Sequence, residues 1–207
     1  MIGSDEVRLC LVTDRVLAHG RSLPEIVSAS VRGGVTMVQL REKTVSTRDF
    51  VAIARDLLDV LKPSGVPLVI NDRLDVALAV GAQGVHVGQD DMPVEVVRRL
   101  LGANSIIGLS ITSLEDLRTC ATEAADYLGV GPIFSQTTKT DAAAPLGLAG
   151  LAAIRRETAK PLMAIGGIGS GNAASVLSQG ADGVAVVSAI MAAEDPESAA
   201  VALLRSG

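Results

Sequence analysis

Aromatic residues are almost missing from this chain: two Phe, one Tyr and no Trp in 207 residues. Base stacking is therefore poorly supplied, and a net charge of −5 offers little neutralisation of a phosphate polymer. Nucleic acid is excluded as a partner on both counts. Cysteine is equally scarce. Cys10 and Cys120 stand far apart and no CxxC occurs, which argues against a disulfide framework or a zinc site and fits a reducing cytoplasm. Although 48% of the residues are hydrophobic, no run approaches the roughly 18 uninterrupted apolar residues of a membrane span. The opening MIGSDEVRLC has an early acidic pair and no long apolar stretch, so it does not read as a secretory signal. What is abundant is Ala, Val, Leu and Ile, the material of closely packed parallel strands and helices.

Short apolar runs alternate with helix-period segments along the chain. Strands are expected at Leu9–Val12, Thr36–Leu40, Leu68–Ile70, Gly84–Val87, Ile106–Leu109, Tyr127–Val130, Leu162–Ile165 and Gly183–Val187. Helical segments follow near Pro24–Arg32, Thr47–Leu61, Leu74–Val80, Pro93–Leu101, Leu114–Thr122, Leu148–Glu157, Gly171–Gln179 and Glu197–Leu204. Eight β-α units in a chain of this size predict an α/β fold, a single-domain (β/α)8 TIM barrel with parallel strands over residues 1–207. A doubly wound open sheet is the second choice. It usually has fewer strands, and LVTDRV after the first strand is not a dinucleotide fingerprint. AVGAQGVHV (79–87) resembles SQGADGVAV (178–186) at an offset of 99 residues, as half-barrel duplication would produce. Glycine at helix C-caps would produce the same echo. The long connection 131–146 has little structure signal, which in a compact domain suggests a lid or binding loop.

Function in such a barrel gathers at the C-terminal ends of the strands. In VQLREK, alternation puts Gln39, Arg41 and Lys43 on one face, two cations and an amide suited to a multiply charged anion and its neutral attachment. The alternative is a solvated charged strand end, as the intervening Glu42 would suggest. Asn71-Asp72 and Gln89-Asp90-Asp91 follow consecutive strands, which lie roughly 4.8 Å apart if they are parallel neighbours. Asp72 and Asp91 can then converge as a hard-oxygen site of the kind Mg²⁺ prefers. Helix capping is the competing role for both, Asp91 preceding Met92-Pro93. His86, between Val85 and Val87, reads as a satisfied core histidine without a catalytic role. Thr112 and Glu115 have capping-box spacing, which leaves Ser110 free to meet a ligand. In the long connection, Thr137, Thr138 and Lys139 offer hydroxyls and a cation that a closing lid would bring to a phosphate. AIGGIGSGN and VAVVSAI end the seventh and eighth strands. There Gly166, Gly167, Val187 and Ser188 are candidates for backbone phosphate binding. Neither a Ser-His-Asp nor a Cys-His arrangement is present, and no general base is evident. Two anion sites without a nucleophile suggest joining or rearranging phosphorylated substrates.

These residues together resemble the thiamine-phosphate synthase family. The strings VQLREK, INDR, VHVGQDDMP, IGLS, DYLGVGPIF, TKTDA, PLGL, AIGGI and ADGVAVVSAI carry the resemblance, with further matches from LVTD at Leu11 to VSAI at Val187. It implies a barrel transferase that joins hydroxymethylpyrimidine diphosphate to hydroxyethylthiazole phosphate, or its carboxylated form, releasing pyrophosphate. It further implies that Gln39, Arg41, Lys43, Asn71, Ser110 and Lys139 hold the pyrimidine diphosphate and that Asp72 and Asp91 bind Mg²⁺. Thr137, Thr138, Gly167, Val187 and Ser188 would hold the thiazole phosphate. The family usually reads F-P-T-x-T-K in the loop. Gln136 stands here where a Thr is usual, and it can still donate to a phosphate with a different reach. The alternatives are a thiazole tautomerase, a binding barrel without turnover, and a phosphosugar isomerase, which would want an acid-base pair this mouth lacks. The resemblance implies small phosphorylated partners, and the sequence leaves a homo-oligomer open.

Overall fold

The computed structural model describes residues 4–135 and 144–206. A short helix α1 (Ser4–Val7) leads into eight strands: β1 (Leu9–Val12), β2 (Met37–Leu40), β3 (Leu68–Asn71), β4 (Gly84–Val87), β5 (Ile106–Ile111), β6 (Tyr127–Val130), β7 (Leu162–Ile165) and β8 (Gly183–Val186). Between them lie α2 (Leu23–Arg32), α3 (Thr47–Leu61), α4 (Leu74–Val80), α5 (Val94–Leu101), α6 (Leu114–Thr119), α7 (Gly147–Glu157) and α8 (Ala173–Leu177). After β8 come α9 (Ser188–Met191) and α10 (Pro196–Arg205). All eight expected strands are present, within two residues at either end. The strands pair in chain order and in parallel, and β1 closes on β8 through Cys10 opposite Ala185. The (β/α)8 barrel read from the sequence is the fold observed.

Local chemistry explains the outer helices. Ser22 caps α2 by accepting from the Glu25 N–H, Pro24 occupies its first turn and Arg32 its last. Ser46 caps α3 in the same way, and Phe50, Ala54, Leu57 and Leu61 repeat at helical spacing on its buried side. Period-two alternation then divides the strands. Leu9, Leu11, Val38, Leu40, Leu68 and Ile70 face the helices in the larger cluster of buried side chains. Cys10, Val12, Met37, Val69, Tyr127, Met163 and Ala185 fill the barrel, with Val7 of α1 among them. Burial pushes the Cys10 thiol up to about 12, so this cysteine stays an inert filler.

Glycines make the barrel interior fit. A Cβ at Gly183 would lie 1.9 Å from the carbonyl oxygen of Val7. Gly183→Ala should therefore force α1 or β8 to shift. Overpacking of this kind costs about 1–3 kcal/mol, roughly 2–12 °C in melting temperature for a chain of this size. A thermal melt matching the wild type would show that α1 moves aside freely. Gly81 and Gly180 precede β4 and β8 and are both left-handed, with φ 68° and 96°. The echo between 79–87 and 178–186 thus falls where each helix-to-strand turn needs a left-handed glycine, so the turn requirement accounts for it.

Candidate active site

The strand C-termini open into a cavity of about 490 Å³. On β2, Gln39 points inward and is buried, while Arg41 and Lys43 continue the same face to the rim and line the cavity. Glu42 turns the other way, with Arg15 Nε 2.8 Å from its Oε1. Burial, more than the opposing Arg15 charge, raises the Glu42 carboxyl above its usual range. Alternation thus keeps this acid out of the cavity, and the face read as functional is not a uniformly solvated strand end. Thr13, fully buried after β1, accepts from the Arg41 N–H at 3.1 Å and sets the backbone at the root of the cation pair.

Next to Gln39 stands Asn71 at the end of β3, and Gln39 Nε2 donates to Asn71 Oδ1 at 2.7 Å. Each amide spends one group on the other. The Gln39 carbonyl and the Asn71 NH₂ remain as an acceptor and a donor for a ligand. Asp72 follows with φ 63°, in the left-handed region that Asp tolerates better than most residues. Its N–H donates to the His86 carbonyl at 2.8 Å, and its Oδ2 accepts from Lys43 Nζ at 2.7 Å.

Asp91 completes the acidic pair. It does not cap α5, whose N-cap is Pro93. Its Oδ2 instead accepts from the Gly88 N–H at 2.7 Å. Nor does Asp72 cap α4, where Arg73 is the N-cap without a side-chain bond. The capping alternatives therefore fail for both carboxylates. Burial holds the Asp91 carboxyl above its usual range; the Gly88 N–H opposes this, while the charge and hydrogen-bonding approach of Asp72 add to it. Two carboxylates in mutual reach, with one lysine for relief, form a donor set that fits a divalent cation. Among the described residues no group of three or more His, Cys, Asp or Glu is placed to hold a metal. A two-carboxylate site leaves further positions for water and substrate oxygens, as hard cations accept.

Ser110 on β5 also lines the cavity, and it is not free: its Oγ lies 2.9 Å from His86 Nε2. The expected capping box is displaced by one residue. Ser113 caps α6 by accepting from the Asp116 N–H, and Asp116 Oδ2 accepts from the Thr112 N–H and hydroxyl. His86 is a satisfied buried side chain, as expected, but β4 aims it into the barrel, where it floors the cavity.

Across the mouth, Gly166 and Gly167 adopt φ 104° and 66° after β7. A Cβ at Gly166 would lie 2.7 Å from Pro132 Cα, and one at Gly167 2.8 Å from Phe134 Cβ. The Gly-Gly turn is thus required both by its handedness and by close packing against the start of the long connection. Gly166 and Val187 line the cavity; Gly167 and Ser188 are not among its lining residues. Ser188 begins α9, and Arg21 donates to the Met191 and Ala193 carbonyls at the other end of that turn. Gln136, Thr137, Thr138 and Lys139 lie outside the described residues. Sequence reading missed Thr13 as a cavity residue and placed Gln89 at its strand end without a role. The LVTD string after the first apolar run was the available signal for Thr13.

Residues 9–190 match the family described as thiamine monophosphate synthase. A thiamine-phosphate synthase of Albidiferax ferrireducens is 59% identical over 197 residues, 95% of this chain and 90% of that protein. One from Chloroflexus aurantiacus is 55% identical over 93% of this chain and 89% of its own. The solved structure of a thiamine phosphate pyrophosphorylase from Pyrococcus furiosus superposes with a TM-score of 0.89 at 39% identity, covering 98% of this chain and 96% of that one. With matching motifs at the strand ends and a match across nearly its whole length, this chain belongs to the thiamine monophosphate synthase family.

Proposed function

We propose that this protein joins a pyrimidine diphosphate to a thiazole phosphate at the barrel mouth, by departure of pyrophosphate and attack of the thiazole nitrogen. It is a transferase of thiamine biosynthesis that makes thiamine monophosphate. The arrangement that carries the mechanistic reading is the placement of the Gln39–Asn71 amide pair beside Arg41, Lys43, Asp72 and Asp91 in one cavity. An aminopyrimidine offers donors and acceptors that a paired amide can meet, and its diphosphate needs the cationic rim.

Asp72 and Asp91 would hold the divalent cation, which we take to be Mg²⁺. Bound there, it would supply charge neutralisation for the leaving diphosphate. Arg41 and Lys43 bind the same group from the segment just after β2, and Ser110 donates to it. Gln39 and Asn71 orient the ring so that its methylene faces the incoming thiazole. Lys139, Gln136, Thr137 and Thr138 of the long connection contribute to binding the phosphates. Gly167, Val187 and Ser188 supply backbone amides for the thiazole phosphate. An electron-rich aminopyrimidine can stabilise a cationic methylene, so preorganised charge and proximity account for the rate and no general base is needed.

The test is direct. Purified protein given both phosphorylated substrates should form thiamine monophosphate with Mg²⁺ and lose that activity with chelator. Binding of the thiazole phosphate without any product would assign the barrel to tautomerisation or ligand storage instead.

A further inference from the structure

The cavity floor holds a buried hydrogen-bonded series across three adjacent strands. Tyr127 Oη on β6 lies 3.0 Å from His86 Nδ1 on β4, and His86 Nε2 lies 2.9 Å from Ser110 Oγ on β5. Tyr127 is fully buried and His86 is 8% exposed. Two glycines make the room: a Cβ at Gly108 would stand 2.3 Å from both His86 Nδ1 and Tyr127 Cζ, and one at Gly129 2.7 Å from His86 Cε1. These inward-facing gaps are filled by the two rings, whose centroids are 5.5 Å apart.

Counting donors assigns the protons. A buried phenol hydrogen needs an acceptor, and among the described residues His86 Nδ1 is the one in reach. Nδ1 is then unprotonated, so a neutral ring carries its proton on Nε2. Both rings are buried at the barrel floor, where a neutral imidazole and a protonated phenol are the favoured forms. The ring is therefore neutral and the phenol protonated. Nε2–H donates to Ser110 Oγ, which leaves the Ser110 hydrogen to turn toward the cavity. The serine backbone is already held, because Ser110 pairs with Gly129 and its carbonyl accepts from Gln89 Nε2 at 2.5 Å. Only the direction of the hydroxyl is left for the series to decide.

We infer that Tyr127 and His86 are positioning residues that fix Ser110 as a hydrogen-bond donor to the diphosphate oxygens of the substrate. This rests on the reading proposed above for the same cavity. Two readouts test it. In ligand-free protein labelled with ¹⁵N-histidine, His86 should show an unprotonated Nδ1 and a protonated Nε2. Tyr127→Phe should shift both signals toward a mixed tautomer, while Ser110→Ala should leave the tautomer unchanged. In turnover, Tyr127→Phe and Ser110→Ala should each lower kcat about 3- to 30-fold. Each should weaken Mg²⁺-dependent binding of inorganic pyrophosphate by a similar factor, and the double variant should be no worse than Ser110→Ala. A protonated Nδ1 in the wild type would overturn the assignment, as would additive losses in the double variant. A lower melting temperature in Tyr127→Phe with unchanged kcat and pyrophosphate affinity would make Tyr127 a structural residue only and overturn it too. The tautomer is read without substrates, so a wild type that forms no product would count against the proposed reaction and not against the proton assignment.

Discussion

Asp72→Asn and Asp91→Ala should each reduce thiamine monophosphate formation by about 10²–10³-fold at ordinary Mg²⁺ while leaving the barrel folded. The magnitude is that of removing one preorganised electrostatic contact to developing charge, about 2.7–4 kcal/mol. Asn is the better choice at position 72 because φ is 63° there and Asn also tolerates the left-handed region. The Asp72 N–H bond to the His86 carbonyl is a backbone contact and survives the change. Asp91 lies in a turn, so losing its bond from the Gly88 N–H should loosen that turn without opening the core. Far-UV circular dichroism and a thermal melt check the fold. A Mg²⁺ titration checks the cause, since a weakened metal site should recover part of its rate at high Mg²⁺. Near wild-type rates in both variants would remove the metal assignment.

Arg41→Ala and Lys43→Ala should lower kcat on a comparable scale, about 10²-fold or more each. Both side chains reach the cavity from the segment just after β2. In the ligand-free arrangement Lys43 Nζ is 2.7 Å from Asp72 Oδ2, with the lysine side chain about half exposed. That exposed contact contributes little to stability, so losing Lys43 should act on turnover and not on the melt. The Arg41 backbone is held by Thr13 whatever its side chain. Arg41→Lys should recover only part of the rate, because a point charge cannot repeat the planar fork of a guanidinium on a phosphate. Steady-state kinetics with varied pyrimidine diphosphate decides it. Full activity in Arg41→Ala would place the diphosphate elsewhere in the cavity.

Much of this is legible in the sequence alone. Each strand is a four- to six-residue, mostly apolar run, and helices α2 and α3 are periodic segments opened by the caps Ser22 and Ser46. Such signals are local, which is why all eight strands fell where periodicity put them. The short α1 and α9 were not legible, since one turn is too brief to show a period. The strand ends were legible too: alternation alone puts Gln39, Arg41 and Lys43 on one face and Glu42 on the other.

Side-chain direction and proton position depended on the closed barrel. In the sequence, helix capping competed with metal binding at Asp72 and Asp91. It took the left-handed turn at Asp72 and the Gly88 bond to Asp91 to free both from that role. The single His in an apolar strand gave no hint that Tyr127 and Ser110, 41 and 24 residues away, would bracket its two nitrogens. That contact depends on the register of β4, β5 and β6 and on the empty positions at Gly108 and Gly129. Periodicity and chain order are properties of neighbouring residues, so the chain alone was enough for the architecture and for which ends of the strands bear the chemistry. Convergence of charges and direction of hydrogen bonds are properties of residues far apart in sequence, and only barrel closure brings those into contact.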